Sequence, residues 1–137
     1  GLQAVNAGEN TMLVMERIQA EVETHPVVLF MKGTPQFPMC GFSSRAVQAL
    51  MSARAGTAGA EQAGTEPTGV EPAGVEHIHT INVLQEPEIR ANLPRFSNWP
   101  TFPQLFIHGE LIGGCDITLE LFESGELQRI VSEALAP

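Results

Sequence analysis

The apolar and polar positions of the chain follow patterns that predict nine elements of secondary structure. An apolar run at residues 27–31 (VVLFM) is typical of a buried strand, and residues 77–83 (HIHTINV) alternate as a half-buried strand does. Two further apolar runs are joined by His108 and Gly109, which predicts a tight antiparallel hairpin. Apolar residues recur at helical spacing in five segments: residues 11–24, 41–54, 87–93, 116–123 and 125–135.

The order of these elements predicts an α/β fold with a four-stranded mixed sheet flanked by helices. A strand, a helix and a second strand in succession give parallel strands through a right-handed crossover. The terminal hairpin then adds antiparallel strands. A chain of 137 residues is long enough for one domain with a substantial core and short for two.

The composition changes abruptly between residues 55 and 76. Glycine recurs there every five residues, at positions 59, 64, 69 and 74, and the stretch contains no aromatic residue. Such a segment cannot bury enough apolar surface to offset the entropy of ordering it, so we expect a flexible insertion in a surface loop. The alternative is a docking arm for a partner. We also expect residues 1–10 to be flexible, which leaves residues 11–137 as one domain that the insertion interrupts.

The charge and the cysteine content restrict the classes of partner and compartment. The net charge of −9, from seven basic and sixteen acidic residues, disfavours nonspecific binding to nucleic acid or to anionic membranes. No apolar run approaches the ~20 residues of a membrane span, and the N-terminus lacks the features of a signal peptide. Two cysteines far apart favour a reducing compartment. We therefore expect a cytoplasmic protein, or one of an organelle matrix if a targeting segment has been removed.

Cys40 is the first candidate for chemistry because it lies between a predicted strand and a predicted helix. The unpaired N–H groups and the dipole of a helix N-terminus favour thiolate over thiol. Cys40 is therefore predicted to be a nucleophile or a metal ligand, the alternative being a small buried cysteine. Phe42 falls on the predicted apolar side of the helix that follows.

Lys32 and Asp116 are the sole lysine and the sole aspartate of the chain, and both lie at the ends of predicted loops. Lys32 follows the strand that leads to Cys40, and Asp116 begins a helix after a Gly-Gly-Cys turn. Each has a structural alternative: Lys32 as a solvated strand end and Asp116 as a helix N-cap.

Four segments together resemble the monothiol, CGFS-type glutaredoxins. They are residues 32–35 (KGTP), 40–43 (CGFS), 99–103 (WPTFP) and 113–116 (GGCD), in the order found in that family. The resemblance covers nearly all of residues 12–134 apart from the insertion. It implies a thioredoxin-like fold and a glutathione-dependent site.

The resemblance also implies a role in iron–sulfur cluster assembly and iron homeostasis. In this family two subunits hold one 2Fe-2S cluster, each supplying the thiolate of its CGFS cysteine, here Cys40, and one bound glutathione. Four sulfur atoms complete the coordination of the two irons. The expected partners are a second copy of the chain, a BolA-like protein and apo-proteins that accept the cluster.

By the same resemblance, several residues would bind glutathione. Lys32 and Arg90 would bind the carboxylate of its glycine end, where Arg can form a bidentate pair. Asp116 would accept the ammonium group of the γ-glutamyl end. The backbone N–H groups of Cys115 and Asp116 would bind the carboxylate of that same end.

Thr101, Phe102 and Pro103 match the family's cis-proline turn, in which the backbone beside the proline pairs with the glutathione peptide. Trp99 and Pro100 would brace this turn, the favoured alternative for Trp99 being plain core packing. These assignments come from the resemblance and not from the spacing of the residues.

Ser43 occupies the position where dithiol glutaredoxins carry a second cysteine, so the nearby resolving thiol of disulfide exchange is missing. A cluster carrier is therefore favoured over a glutathione-dependent thiol-disulfide oxidoreductase, for which at most weak activity is expected. Two alternatives for Cys115 stay open: a disulfide with Cys40, or a backbone role beside glutathione.

The four histidines give weaker indications. His77 and His79 fall on one face of a predicted strand, but two ligands without a third or fourth are poor support for a metal site. His108 is most simply a hairpin-turn residue and His25 a helix end.

Overall fold

The structure, a computed structural model, describes residues 7–57 and 78–136 and confirms the predicted fold class. The elements are α1 (Ala7–Thr24), β1 (Val27–Met31), α2 (Gly41–Thr57), β2 (Ile78–Asn82), α3 (Pro87–Ser97), β3 (Gln104–Ile107), β4 (Glu110–Gly113), α4 (Cys115–Ser124) and α5 (Glu126–Leu135). None of the helices in the described ranges is long and apolar enough to cross a membrane.

The four strands form one mixed sheet in the order β2-β1-β3-β4. β1 pairs in parallel with β2 and antiparallel with β3. The hairpin between β3 and β4 turns at His108 and Gly109, whose φ angles of 50° and 81° are both positive, as a two-residue type I′ turn requires. The predicted hairpin and its turn are confirmed.

Helices cover both faces of the sheet, which explains why β1 is apolar at every position. On one face α2, α4 and α5 pack against the sheet, and Leu29 of β1 shares a buried cluster with Leu50 of α2 and Leu127 of α5. On the other face α1 and α3 pack against the sheet, and Phe30 of β1 shares a second cluster with Ile18 of α1. All five residues of β1 are fully buried. A central strand with both faces covered carries a continuous apolar run instead of an alternating one.

Three helix boundaries differ from the predicted ones by three residues or more. α1 begins at Ala7, four residues early, and α2 continues to Thr57, three residues into the predicted insertion. The last turn of a helix needs no apolar residue, so periodicity underestimates its length. α3 passes through Pro94 and ends at Ser97, where Asn98 takes the left-handed conformation with φ 58°. Phe96 packs against the core beyond the proline, which favours that extra turn.

Two predicted segments lie largely outside the described residues. They are residues 1–6 of the expected flexible N-terminus and residues 58–76 of the expected insertion. His77 lies outside them as well, so the pairing of His77 with His79 stays a prediction.

Candidate functional site

The loop between β1 and α2 folds back on itself and brings Lys32 beside Cys40. Gly33 and Pro38 form an isolated β-bridge. The backbone N–H of Met39 donates to the carbonyl oxygen of Lys32 at 2.9 Å. The chain therefore returns to the end of β1 immediately before the first residue of α2.

Two polar side chains fix this loop to the sheet and to α2. The Oδ1 atom of Asn82 accepts hydrogen bonds from the backbone N–H groups of Gly33 at 2.9 Å and Leu84 at 3.0 Å. Ser43 is fully buried, and its Oγ accepts from the N–H of Lys32 at 3.0 Å. The position of Ser43 in the motif was recognised from the sequence, but its structural role and that of Asn82 were not.

Cys40 is partly exposed, which excludes the alternative of a buried packing residue. Its pKa is lowered, chiefly by hydrogen bonding from the backbone N–H of Ser43 and then from that of Phe42. The charge of Lys32 and the Ser43 hydroxyl also lower it, while burial opposes them. The start of α2 thus favours the thiolate, as the sequence predicted.

The lowered pKa has a consequence for alkylation of Cys40. Only the thiolate reacts, so the rate should fall as pH drops through the folded-state pKa, with its midpoint below the ~8.5 of an ordinary thiol. Lys32→Gln should move this midpoint upward by only part of the shift, because the backbone N–H groups remain. Iodoacetamide labelling against pH, with mass mapping of the Cys40 peptide, measures it. An unmoved midpoint in Arg95→Gln is the control, and a parent midpoint at or above ~8.5 would contradict the assignment.

The turn that precedes β3 forms a second side of the site. The Phe102–Pro103 peptide bond is cis. The fully buried side chain of Gln104 donates from Nε2 to the carbonyl oxygens of Trp99 at 2.9 Å and Thr101 at 3.1 Å. These bonds hold the turn at the edge of the cleft. Pro103 itself is buried, outside the residues that line the cleft.

Trp99 has a polar atom that its packing leaves unused. Its indole Nε1 is buried and has no hydrogen-bond partner among the described residues. A Cβ added to Gly114 would lie 3.1 Å from this atom and 3.2 Å from the Pro103 carbonyl oxygen. Glycine at position 114 therefore lets the two segments approach closely.

The start of α4 forms the third side. Cys115 is buried, whereas Asp116 is exposed. Gly114 is the N-cap residue and Asp116 lies in the first helical turn, so the N-cap alternative for Asp116 is wrong. The first N–H groups of a helix have no intrahelical partner and favour a bound anion.

These three sides enclose an open cleft of about 830 Å³. Its lining includes every residue that the sequence analysis assigned to the glutathione site except Pro103, and adds several that it did not assign. The lining residues are Lys32, Cys40, Phe42, Arg90, Trp99, Pro100, Thr101, Phe102, Gly114, Cys115, Asp116 and Ile117. Cys40 and Cys115 are both free thiols.

The charges in the cleft are available to a ligand. Within residues 7–57 and 78–136, the side chains of Lys32, Arg90 and Asp116 form no hydrogen bond and no ion pair. Two cations and one carboxylate thus line the same cavity without neutralising one another. This arrangement suits a ligand that carries both anionic and cationic groups.

Three large apolar side chains close to Cys40 in the sequence are exposed to solvent. Phe37 is 75% exposed, Met39 66% and Phe42 53%. The sequence pattern placed Phe42 on the apolar side of α2, but its ring lines the cleft and lies 5.2 Å from the guanidinium carbon of Arg45. Exposed apolar groups concentrated in one patch are typical of an interaction surface.

Comparison with known proteins agrees with this geometry. The family profile described as Glutaredoxin matches residues 71–112. Glutaredoxin 4 of Pasteurella multocida is 42% identical over 125 residues, covering 91% of this chain and 95% of that protein. The chain belongs to the glutaredoxin family. The family assignment made from the four sequence segments is confirmed.

Solved glutaredoxin structures share the fold. Reduced apo GrxS14 of poplar superposes with a TM-score of 0.60 at 42% identity, covering 87% of this chain and 90% of that one. A buckwheat glutaredoxin, solved as a complex with glutathione, superposes with a TM-score of 0.68 at 25% identity, covering 94% and 96%.

Proposed function

We propose that this glutaredoxin is a monothiol member that binds glutathione and carries a 2Fe-2S cluster between two subunits. The observation that carries the proposal is a single activated cysteine, Cys40, in a cleft whose Lys32, Arg90 and Asp116 side chains have no partner among the described residues. The buried Ser43 stands where a resolving cysteine would be needed for dithiol exchange.

The cleft fits the chemistry of glutathione, which has two carboxylates, one ammonium group and one thiol. Lys32 and Arg90 would bind the carboxylate of the glycine end. The N–H groups at the start of α4 would bind the γ-glutamyl carboxylate, and the carboxylate of Asp116 would bind the ammonium group. The glutathione complex of the buckwheat relative supports this ligand class.

The number of thiols supports a cluster shared between chains. A 2Fe-2S cluster takes four sulfur ligands, and this chain contains two cysteines, of which Cys115 is buried in the first turn of α4. Cys40 supplies one ligand, one glutathione supplies a second, and an equivalent pair comes from the other subunit. The exposed side chains of Phe37, Met39 and Phe42 give a second copy or a BolA-like protein an apolar surface beside the thiol.

We further propose that the cluster is cargo for apo-proteins and that the protein works in a reducing compartment, the cytoplasm being the simplest. Both cysteines are free thiols, which suits such a compartment.

The lowered pKa of Cys40 also favours a second candidate function, the removal of glutathione from mixed disulfides. The thiolate of Cys40 would attack the glutathione sulfur of the mixed disulfide, which releases the target thiol and leaves glutathione disulfide-bonded to Cys40. A second glutathione thiolate would then attack that disulfide, releasing glutathione disulfide and the Cys40 thiolate. Turnover as fast as that of a dithiol relative, in an assay with a glutathionylated peptide, would favour this function over cluster carriage.

Calorimetric titration with glutathione tests the ligand assignment directly. Asp116→Asn and Arg90→Gln should each weaken binding by about tenfold, since a hydrogen bond to a charged group contributes ~1.5–3 kcal/mol and exposure to solvent reduces this value. Glu123→Gln in α4 and Arg95→Gln in α3 remove the same charges outside the cleft and should leave the affinity unchanged. Equal losses in the cleft variants and in their controls would show that net charge, and not the cleft, governs binding.

A further inference from the structure

A second cluster of candidate ligands lies where the end of α1 meets β2. Glu21 and His25 stand one helical turn apart, and His79 lies on the edge strand β2, beside them. Their side-chain ligand atoms all lie within 4.8 Å of one another. None of the three belongs to the lining of the glutathione cleft.

The distances within this cluster are close to those of a metal site. Oε1 of Glu21 lies 3.0 Å from Nε2 of His79 and 3.7 Å from Nε2 of His25. Ligand atoms at zinc distances in a tetrahedral arrangement are separated by about 3.3–3.4 Å. The two imidazole rings are stacked, with centroids 3.8 Å apart and planes inclined by 14°. Because the Nε2 lone pairs of near-parallel rings lie in parallel planes, metal binding would require the two imidazoles to rotate out of this stack.

The surroundings leave the cluster accessible and negatively charged. Each side chain is about one-third exposed, with 31% for Glu21, 34% for His25 and 33% for His79. Arg17, one turn before Glu21, forms an ion pair at 2.8 Å with Glu86. The charge of Arg17 is therefore shared among Glu86, Glu88 and Glu21, while the carboxylate of Glu21 also faces the two imidazoles.

We propose that Glu21, His25 and His79 form a binding site for a zinc-like divalent transition-metal ion, with the fourth position open to solvent. Two histidines and a glutamate are a ligand set that zinc takes in open sites. A metal pair of His77 and His79 had poor support in the sequence because no third ligand was visible, whereas the structure brings His25 and not His77 into a cluster with His79. Glu21 supplies the third ligand, 58 residues away from His79 along the chain.

The site is independent of the glutathione cleft and of the function proposed for it.

Zinc titration of the full-length chain carrying Cys40→Ser tests the proposal, because the substitution removes the activated thiol as a competing ligand. We expect one Zn²⁺ per chain by calorimetry, with shifts of the His25 and His79 ring resonances in NMR spectra. Glu21→Gln, His25→Ala and His79→Ala should each weaken binding by ~100-fold or more, since loss of a mere supporting contact costs ~10–100-fold. Zinc should raise the melting temperature of the parent and not that of these variants.

His108→Asn is the matched control, because it removes an exposed histidine outside the cluster and asparagine tolerates the positive φ of 50° at this position. It should bind zinc as the parent does. Glu21→Gln preserves the size of the side chain, so it reports on ligation even if a histidine variant fails to fold. Absence of zinc binding in the parent, or parental affinity in Glu21→Gln, would overturn the proposal and leave the cluster as a packing contact.

Discussion

Gly33→Ala is expected to lower the free energy of unfolding by ~2 kcal/mol or more, since a residue in a sparsely populated conformation costs ~1–3 kcal/mol before any steric overlap is added. Gly33 has a φ of 99°, and a Cβ there would lie 2.5 Å from both the backbone nitrogen of Met39 and the carbonyl oxygen of Phe37. Backbone atoms cannot move aside as a flexible side chain can. The loop would have to open, which separates Lys32 from Cys40.

Chemical denaturation and glutathione calorimetry together measure this effect. The control is Gly41→Ala, where a Cβ at the start of α2 meets nothing within 4 Å. Alanine is favoured over glycine in a helix, so this control should be neutral or stabilising by up to ~1 kcal/mol. We expect Gly33→Ala to lose glutathione affinity as well as stability. Parental stability in Gly33→Ala would contradict the tight packing of the loop.

Cys40→Ser is expected to abolish formation of the 2Fe-2S cluster. A hydroxyl is a poor substitute for a thiolate ligand, and the described residues place one other cysteine at the cleft, the buried Cys115. Anaerobic reconstitution with iron, sulfide and glutathione, followed by visible absorption spectroscopy, measures the effect.

Cys115→Ser separates a ligand role from a backbone role at the start of α4. We expect this variant to keep the cluster bands, because residue 115 would contribute to the cleft through its backbone N–H group and not through its side chain. If Cys40→Ser kept the bands and Cys115→Ser lost them, the cluster ligand would be Cys115 and the assignment of Cys40 would be wrong.

The sequence predicted the fold well because its strongest patterns report local structure. The apolar run of β1 reflects burial on both faces of the sheet, and the His108-Gly109 turn has a backbone requirement that those residues meet. Boundaries were less accurate, as α3 continues through Pro94 to Ser97, four residues beyond the predicted end at residue 93. Tertiary packing of Phe96 outweighs the local cost of the proline.

The residues that line the site were predicted from motifs, whereas the hydrogen bonds that hold its loops in place were not. Lys32, Cys40, Arg90 and Asp116 line one cleft as the resemblance implied. Asn82, in contrast, holds Gly33 across 49 residues of sequence, a contact that no local pattern indicates.

The outward position of Phe42 and the cluster at Glu21 also depend on tertiary structure. Helical periodicity gives a face but not what that face contacts, so Phe42 was placed with the core although it borders the cleft. Glu21 and His79 come together because α1 packs beside the edge strand β2, an arrangement that is set by the whole fold.

The central claim is that Cys40 and glutathione together complete a cluster shared by two chains. Native mass spectrometry of the anaerobically reconstituted protein tests it most directly, because the mass counts chains, glutathione and cluster together. We expect an assembly of two chains, two glutathione molecules and one 2Fe-2S cluster, which fails to form when glutathione is omitted. A cluster-bearing species that lacks glutathione, or that contains one chain, would contradict the account.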